Sequence, residues 1–235
     1  MIRKLVYLPL FLAFWAFSCK KDDSGNPPPT PPETTSYLKI EKNNKWDYEI
    51  VNNPSTSPST STYSLTCTET DTSIGGRSYR IFTRTDALGK EYYYVNGNDY
   101  YEFLSLPLLD GFKFENLFLK SGANVGDKWT QTIPPITYSG ITANLSKADT
   151  IKEKGLTKVV KGVTYTDVIH VSSGIKIESM SLPIPGLTLT SAIHNYYAPK
   201  VGRIYASYDI KFAVPAPFSI TQSYENKTEL ISTNF

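Results

Sequence analysis

Residues 37–235 predict an all-β domain of about ten to twelve antiparallel strands with at most one short helix. Three observations carry the prediction. Apolar and polar residues alternate with period two through several segments. Explicit turn residues stand between those segments. No apolar stripe from Tyr37 onward survives a count at the roughly 3.6-residue helical period.

The first clear strand is Thr62 to Thr72, with Tyr63, Leu65 and Cys67 on one face and Ser64, Thr66, Thr68 and Thr70 on the other. It follows a low-complexity segment, Asn52 to Ser61, that reads as a polar loop. Gly75-Gly76 turns the chain into a strand at Ser78–Thr83. Tyr92 to Val95 and Asn98 to Phe103 flank Asn96-Gly97, a pair that tolerates positive φ at both central positions and so predicts a type I′ hairpin. Pro107 to Ser121 is the segment that predicts a short helix or an irregular cap.

Lys161-Gly162 turns Thr157–Val160 into Val163–Ser172. Pro183 to Gly186 separates Gly174–Leu182 from Leu187–Tyr197, and Pro199 to Gly202 separates that strand from the next. Alternation in this next strand places Ile204, Ala206, Tyr208, Ile210 and Phe212 on a dry face. Arg203, Tyr205, Ser207, Asp209 and Lys211 fall on the wet one. Pro215 and Pro217 lie in the turn before a last strand, Ser219 to Ile231, whose polar face is Thr221, Ser223, Glu225, Lys227 and Glu229. Enrichment in Tyr, Thr, Ile and Val points the same way, and nothing after Tyr37 divides the chain further.

The chain has 235 residues, 40% hydrophobic and 20% charged, a composition neither disordered nor membrane-spanning throughout. Lys and Arg number 24 against 22 Asp and Glu, which leaves no basic excess to neutralise a phosphate backbone and argues against nucleic acid as a partner. Two Cys and two His make neither a disulfide scaffold nor a His/Cys zinc site, and no D-x-D-x-D calcium loop is present. No cofactor is expected.

The amino terminus is an address. Arg3 and Lys4 precede a 13-residue apolar run, Leu5 to Phe17, shorter than the ~20 residues a spanning helix needs. A charged start, a short apolar core and a small-residue break define a secretory signal over residues 1–18. Ala16-Phe17-Ser18-Cys19 resembles a relaxed bacterial lipobox, in which the usual Leu is replaced by Ala16 and Phe17 is bulky for its slot. The resemblance implies cleavage before Cys19 and acylation of it. Cleavage removes Arg3 and Lys4 and no acidic residue, so the mature chain has equal numbers of both signs. A single acyl chain holds a protein only marginally, at ~0.8 kcal/mol per buried CH₂; the several chains of a lipoprotein Cys anchor it stably.

Residues 19–36 continue as a tether. Ser24 to Ser36 carries five prolines in 13 residues and favours polyproline II, spanning roughly 40 Å at ~3.1 Å per residue. Lys21-Asp22-Asp23 resembles the surface-export signal of Bacteroidetes lipoproteins. It implies an outer-membrane lipid anchor at the cell surface, with the periplasmic face as the alternative.

The domain itself resembles β-rich exported lipoproteins of the Bacteroidetes. The residues that carry the likeness are Trp46-Asp47-Tyr48, Val125 to Trp129, Val159 to Val171 and Tyr196 to Ile204. The likeness implies a long curved antiparallel sheet, half-barrel or sandwich-like, comparable with periplasmic lipid-binding half-barrels. Where those read Pro-Ala-Gly before the central strand, this chain has Val160-Lys161-Gly162. The family supplies no catalytic residue.

Candidate sites are few. His170 and His194 lack a nucleophile elbow and read as hydrogen-bonded strand residues. Cys67 shares its face with Tyr63 and Leu65 and reads as a buried small hydrophobe. Glu225 and Glu229 are roughly 13 Å apart along a strand, beyond the ~5–9.5 Å of a glycosidase pair. Asp149-Thr150-Ile151 resembles a Bacteroidetes O-glycosylation site at Thr150.

The aromatic runs stand out, because they put rings on both faces of their strands. Tyr93, Tyr101, Tyr196 and Tyr197 are candidate ligand contacts, against the alternative of cross-strand packing. The chain therefore reads as a non-enzymatic envelope protein that binds a hydrophobic ligand, a glycan or a protein partner. A structural or assembly role is the alternative, and a hydrolase a more distant one. A deep apolar concavity would favour ligand binding; a filled interior would favour assembly.

Overall fold

The structure, a computed structural model, describes residues 36–106, 112–138, 140–216 and 219–235. The signal, Cys19, the tether and most of the Pro107–Phe112 stretch lie outside the described residues. Residues Thr34–Phe235 form one compact unit, and every described element in it is a strand.

Twelve strands run in chain order: β1 Lys45–Asn52, β2 Ser59–Ile74, β3 Arg77–Arg84, β4 Lys90–Asn96, β5 Asp99–Leu106, β6 Phe112–Lys120, β7 Lys128–Tyr138, β8 Ile141–Val160, β9 Val163–Met180, β10 Thr188–Ala198, β11 Gly202–Val214 and β12 Ile220–Thr233. They make a single antiparallel sheet in the order β6-β5-β4-β3-β2-β1-β12-β11-β10-β9-β8-β7. Apart from the β1–β12 pair, every ladder joins neighbours in sequence, so hairpins account for the topology. Register shifts interrupt six of the eleven ladders. Each bulge bends its strand and adds twist, which curls a sheet of this width toward a barrel. The curled single sheet is the half-barrel alternative, and a two-sheet sandwich is excluded.

The two edges, β6 and β7, meet without a ladder. Trp129 donates its indole N–H to the Leu117 carbonyl at 2.9 Å, and the Gln131 side chain bonds both backbone groups of Leu117. Farther along β7, Pro134 and Pro135 fall within the register shift between Ile133 and Ile136 and have no N–H to offer an edge partner. The barrel is nearly closed, and its seam is stitched by side chains.

Hairpin alternation puts the turns 75–76, 97–98, 161–162 and 199–201, with the longer connection 121–127, at one end, which we call the floor. The connections 53–58, 85–89 and 181–187 lie at the other end, the mouth. The floor is plugged by the segment that precedes β1. The Lys200 amide donates to the Ser36 carbonyl at 2.7 Å, the Tyr37 amide to the Tyr100 hydroxyl at 2.9 Å, and Tyr37, Leu38 and Ile40 pack on the core. Above this plug sits the densest packing, where Trp46, Leu65, Phe82, Ile151, Ile204 and Leu230 are all nearly sealed from solvent. Trp46 also ties β1 to the β10–β11 turn through its indole N–H and the Val201 carbonyl, at 2.7 Å.

Three sequence expectations are corrected. The segment predicted to hold a short helix or an irregular cap forms β6 over its described residues 112–120: Phe114, Asn116 and Phe118 are buried on alternate positions, a period of two that Leu117 and the equally buried Leu119 disguise. The hairpin at Asn96-Gly97 turns one residue later. Asn96 pairs with Asp99, the loop is Gly97-Asn98, and only Gly97 takes positive φ (59°), as in a turn of type II′. The carbonyl of Asn98 is then free to accept from Ser121. The polar loop before β2 is also shorter than read, because Ser59, Thr60 and Ser61 pair with Asn52, Val51 and Ile50; exposed Ser and Thr satisfy an antiparallel ladder as well as apolar residues do.

Candidate functional site

Between the dense floor and the mouth the barrel is not filled. A cavity of about 500 Å³ occupies its interior, within the ~300–1,000 Å³ common for small-molecule sites. Its upper wall is apolar, with Ile50, Leu104, Phe114, Ile133, Leu145, Ile175, Ile193 and Ile210 contributed by eight different strands. Tyr208 and Tyr224 complete that wall on β11 and β12.

Below this wall runs a belt of polar side chains. Each occupies an inward slot whose neighbours two residues away are mostly apolar. Asn116 stands between Phe114 and Phe118, Asn195 between Ile193 and Tyr197, and Glu102 between Tyr100 and Leu104. Asp149 is fully buried, ion-paired to Lys147, and accepts bonds from the Ser173 hydroxyl and the Gln131 amide. Lys147 also donates to the Asn116 side-chain oxygen at 3.0 Å, and Asn116 in turn donates to Glu102 at 2.7 Å. On the opposite wall Arg84 pairs with Asp86 and Glu91, stacks over the Tyr63 ring at 3.8 Å, and has a side chain only 7% exposed.

Arg203 is the exception in this belt. Strict alternation from Ile210 back to Ile204 would aim it at water. A register shift intervenes, so that Tyr196 faces Tyr205 while Tyr197 faces Arg203. Ile204 is the extra residue, and both it and Arg203 turn inward. The predicted wet-face position of Arg203 is thus overturned by one bulge. Its Nε is buried without a hydrogen-bond partner, and among the described residues it enters no ion pair. The groups that act on its charge are the phenols of Tyr208, Tyr63 and Tyr93, then the Glu102 carboxyl. Despite burial, these neighbours hold its guanidinium well above the ordinary arginine value, so it stays charged. Burial raises the Glu102 carboxyl, offset in part by Arg203 and the Asn116 hydrogen bond. Burial likewise raises Tyr197, Tyr208 and Tyr93, keeping their hydroxyls protonated as donors.

The aromatic candidates separate into two sets. Tyr197 lines the cavity, 5.4 Å from the Phe118 ring. Tyr93 is buried in the core against Phe82, with its hydroxyl on Glu91, which lines the cavity. Tyr101 and Tyr196 belong to external clusters. Tyr101 packs on Tyr94 under the Arg77 guanidinium. Tyr196 stacks on His170 at 4.2 Å, with the Lys158 ammonium 3.8 Å from its ring. His170 also meets Glu153 at 2.8 Å and His194 at 3.0 Å. Thr150 lies half-buried within β8, paired with Lys128 and Ser172. Cys67 is a free, buried thiol, and burial raises its pKa. Among the described residues no group of three or more His, Cys, Asp and Glu could hold a metal ion.

The polar belt was missed in the sequence, although it leaves a signal there: a polar residue in the apolar phase of a strand, as in Phe-x-Asn-x-Phe at 114–118 and Ile-x-Asn-x-Tyr at 193–197. Arg203 leaves none, since its bulge exists only in the paired sheet.

No family model matches the chain, and no curated protein does. Solved structures do match. One is a Parabacteroides distasonis protein provisionally described as a lipoprotein, 13% identical, with a TM-score of 0.42 over 86% of this chain and 100% of that one. Another is a Bacteroides fragilis protein, provisionally described as exported and with a YmcC-like fold, 8% identical, with a TM-score of 0.41 over the same shares. A third is an outer membrane lipoprotein-sorting protein domain, also provisional, from Vibrio parahaemolyticus, 9% identical with a TM-score of 0.24 over 83% of this chain and 85% of that one.

Proposed function

We propose that this is a lipid-anchored protein of the outer membrane, displayed at the cell surface, whose barrel binds a hydrophobic ligand without chemically changing it. The observation that carries the reading is the cavity of about 500 Å³ whose upper wall is built from aliphatic and aromatic side chains. A role in assembly alone would be served by a filled interior. The wall favours a hydrocarbon over a sugar, because isoleucine and leucine dominate it and stacking platforms do not. Most of the ionisable groups below it are engaged with one another, Arg84 with Asp86 and Glu91, and Lys147 with Asp149. Such pairs serve structure and orientation. The anchor rests on Cys19 and the residues around it. The first described residue, Ser36, stands at the plugged floor, the end opposite the mouth.

The test is to fill the cavity. Ile193→Trp and Leu145→Trp each place a large side chain in it. Binding of the neutral fluorophore N-phenyl-1-naphthylamine to residues 34–235 is expected to weaken roughly tenfold or more, equivalent to about 1.4 kcal/mol, while the variants still melt cooperatively. Folded variants that bind the probe as wild type does would refute the cavity as the binding site.

A further inference from the structure

Resting on that reading, we infer that the cavity's ligand is an amphiphile with a monoanionic carboxylate head, held by Arg203, and with its hydrocarbon tail running along the apolar wall toward the mouth. The inference starts from an imbalance. Arg84 and Lys147 each have a carboxylate in contact. Arg203, deeper in the barrel, has none among the described residues, and its Nε has no acceptor among them. A buried guanidinium without a counter-ion is costly, and a planar carboxylate is the group its fork fits in two parallel hydrogen bonds.

The surroundings suit that head. Tyr63, Tyr197 and Tyr208 share the cavity with Arg203, and protonated phenols can donate to a carboxylate. The layering sets the orientation: Arg203 belongs to the belt near the floor, and Ile193, Ile210, Leu145 and Phe114 stand between it and the mouth. A neutral chain would leave the Arg203 charge as it stands. A phosphate monoester would bring up to two negative charges into a chamber that already holds Glu102 and Glu91.

The experiment compares heads on one tail. Dodecanoate, dodecanol and dodecyl phosphate are titrated against residues 34–235 carrying N-phenyl-1-naphthylamine, for wild type, Arg203→Met and Arg203→Gln. Wild type is expected to prefer dodecanoate to dodecanol by roughly ten- to a hundredfold, as for a hydrogen-bonded charge. Both variants are expected to lose that preference while still binding dodecanol. Equal affinity of wild type for acid and alcohol would overturn the head-group assignment and leave cavity binding intact. Tighter binding of dodecyl phosphate than of dodecanoate would overturn the monoanionic head. No displacement of the probe by any of the three would count against the binding function itself. The wild-type comparison stands without the variants, so a variant that fails to fold does not shield the inference.

Discussion

The side-chain amide of Gln131 stands where a neighbouring strand's peptide would stand against Leu117. Its Oε1 accepts from the Leu117 N–H at 2.7 Å, and its Nε2 donates to the Leu117 carbonyl at 3.0 Å. The same Nε2 lies 3.2 Å from Asp149 Oδ2. One side chain therefore satisfies the open edge of β6 and joins it to the buried Asp149–Lys147 pair. Because these bonds come from a side chain, the two edges are held without being locked in a ladder register.

Gln131→Leu leaves the Leu117 N–H without that acceptor, while the Leu117 carbonyl keeps the Trp129 indole. The expected cost is about 1–3 kcal/mol, the penalty for a partly buried group left unsatisfied. Urea denaturation should show the loss. Hydrogen exchange at the Leu117 amide should accelerate by an order of magnitude or more, while Val171, central in β9, keeps its protection. An unchanged Leu117 amide would mean that the seam is held elsewhere.

The external histidine pair predicts a pH dependence. Burial, followed by the charges of His170 and Lys152, holds the His194 imidazole below its ordinary value of 6.5. The unfolded chain then takes up this proton at a higher pH than the native one, so native stability declines as the pH drops below about 6.5 and levels off below the native value. Glu153, Tyr196 and Lys158 complete the surroundings. Melting temperatures from pH 8 to 5 should fall less for His194→Gln than for wild type. Parallel curves would remove His194 as a contributor.

Cys19→Ala is expected to abolish acylation and release the protein from the membrane fraction, read by labelled palmitate and by fractionation. Protease added to intact cells should digest the domain in the wild type. Membrane retention of the unlabelled variant would refute the lipid anchor, and full protection on intact cells would move the domain to the periplasmic face.

Much of the architecture was legible in the chain. Alternation at Tyr63-Leu65-Cys67 and at Ile204 to Ile210 identified strands, and Gly75-Gly76, Lys161-Gly162 and Pro183–Gly186 marked their ends, because side-chain period and turn stereochemistry are local properties. The short helix or irregular cap predicted within Pro107–Ser121 failed for a local reason too: the register shift at Phe118 buries Phe118 and Leu119 side by side, and only the burial of Phe114, Asn116 and Phe118 shows the strand phase.

What the amino-acid sequence determined by itself was the all-β class, most of the strands and most of the turns between them. What the tertiary structure decided was closure and content: that one sheet curls until Leu117 meets Gln131, that a chamber remains inside it, and that a bulge at Ile204 turns Arg203 into that chamber. The reason is physical. Alternation is written residue by residue, whereas curl accumulates from bulges across paired strands, and the direction of a side chain beside a bulge is fixed only when its partner strand is in place.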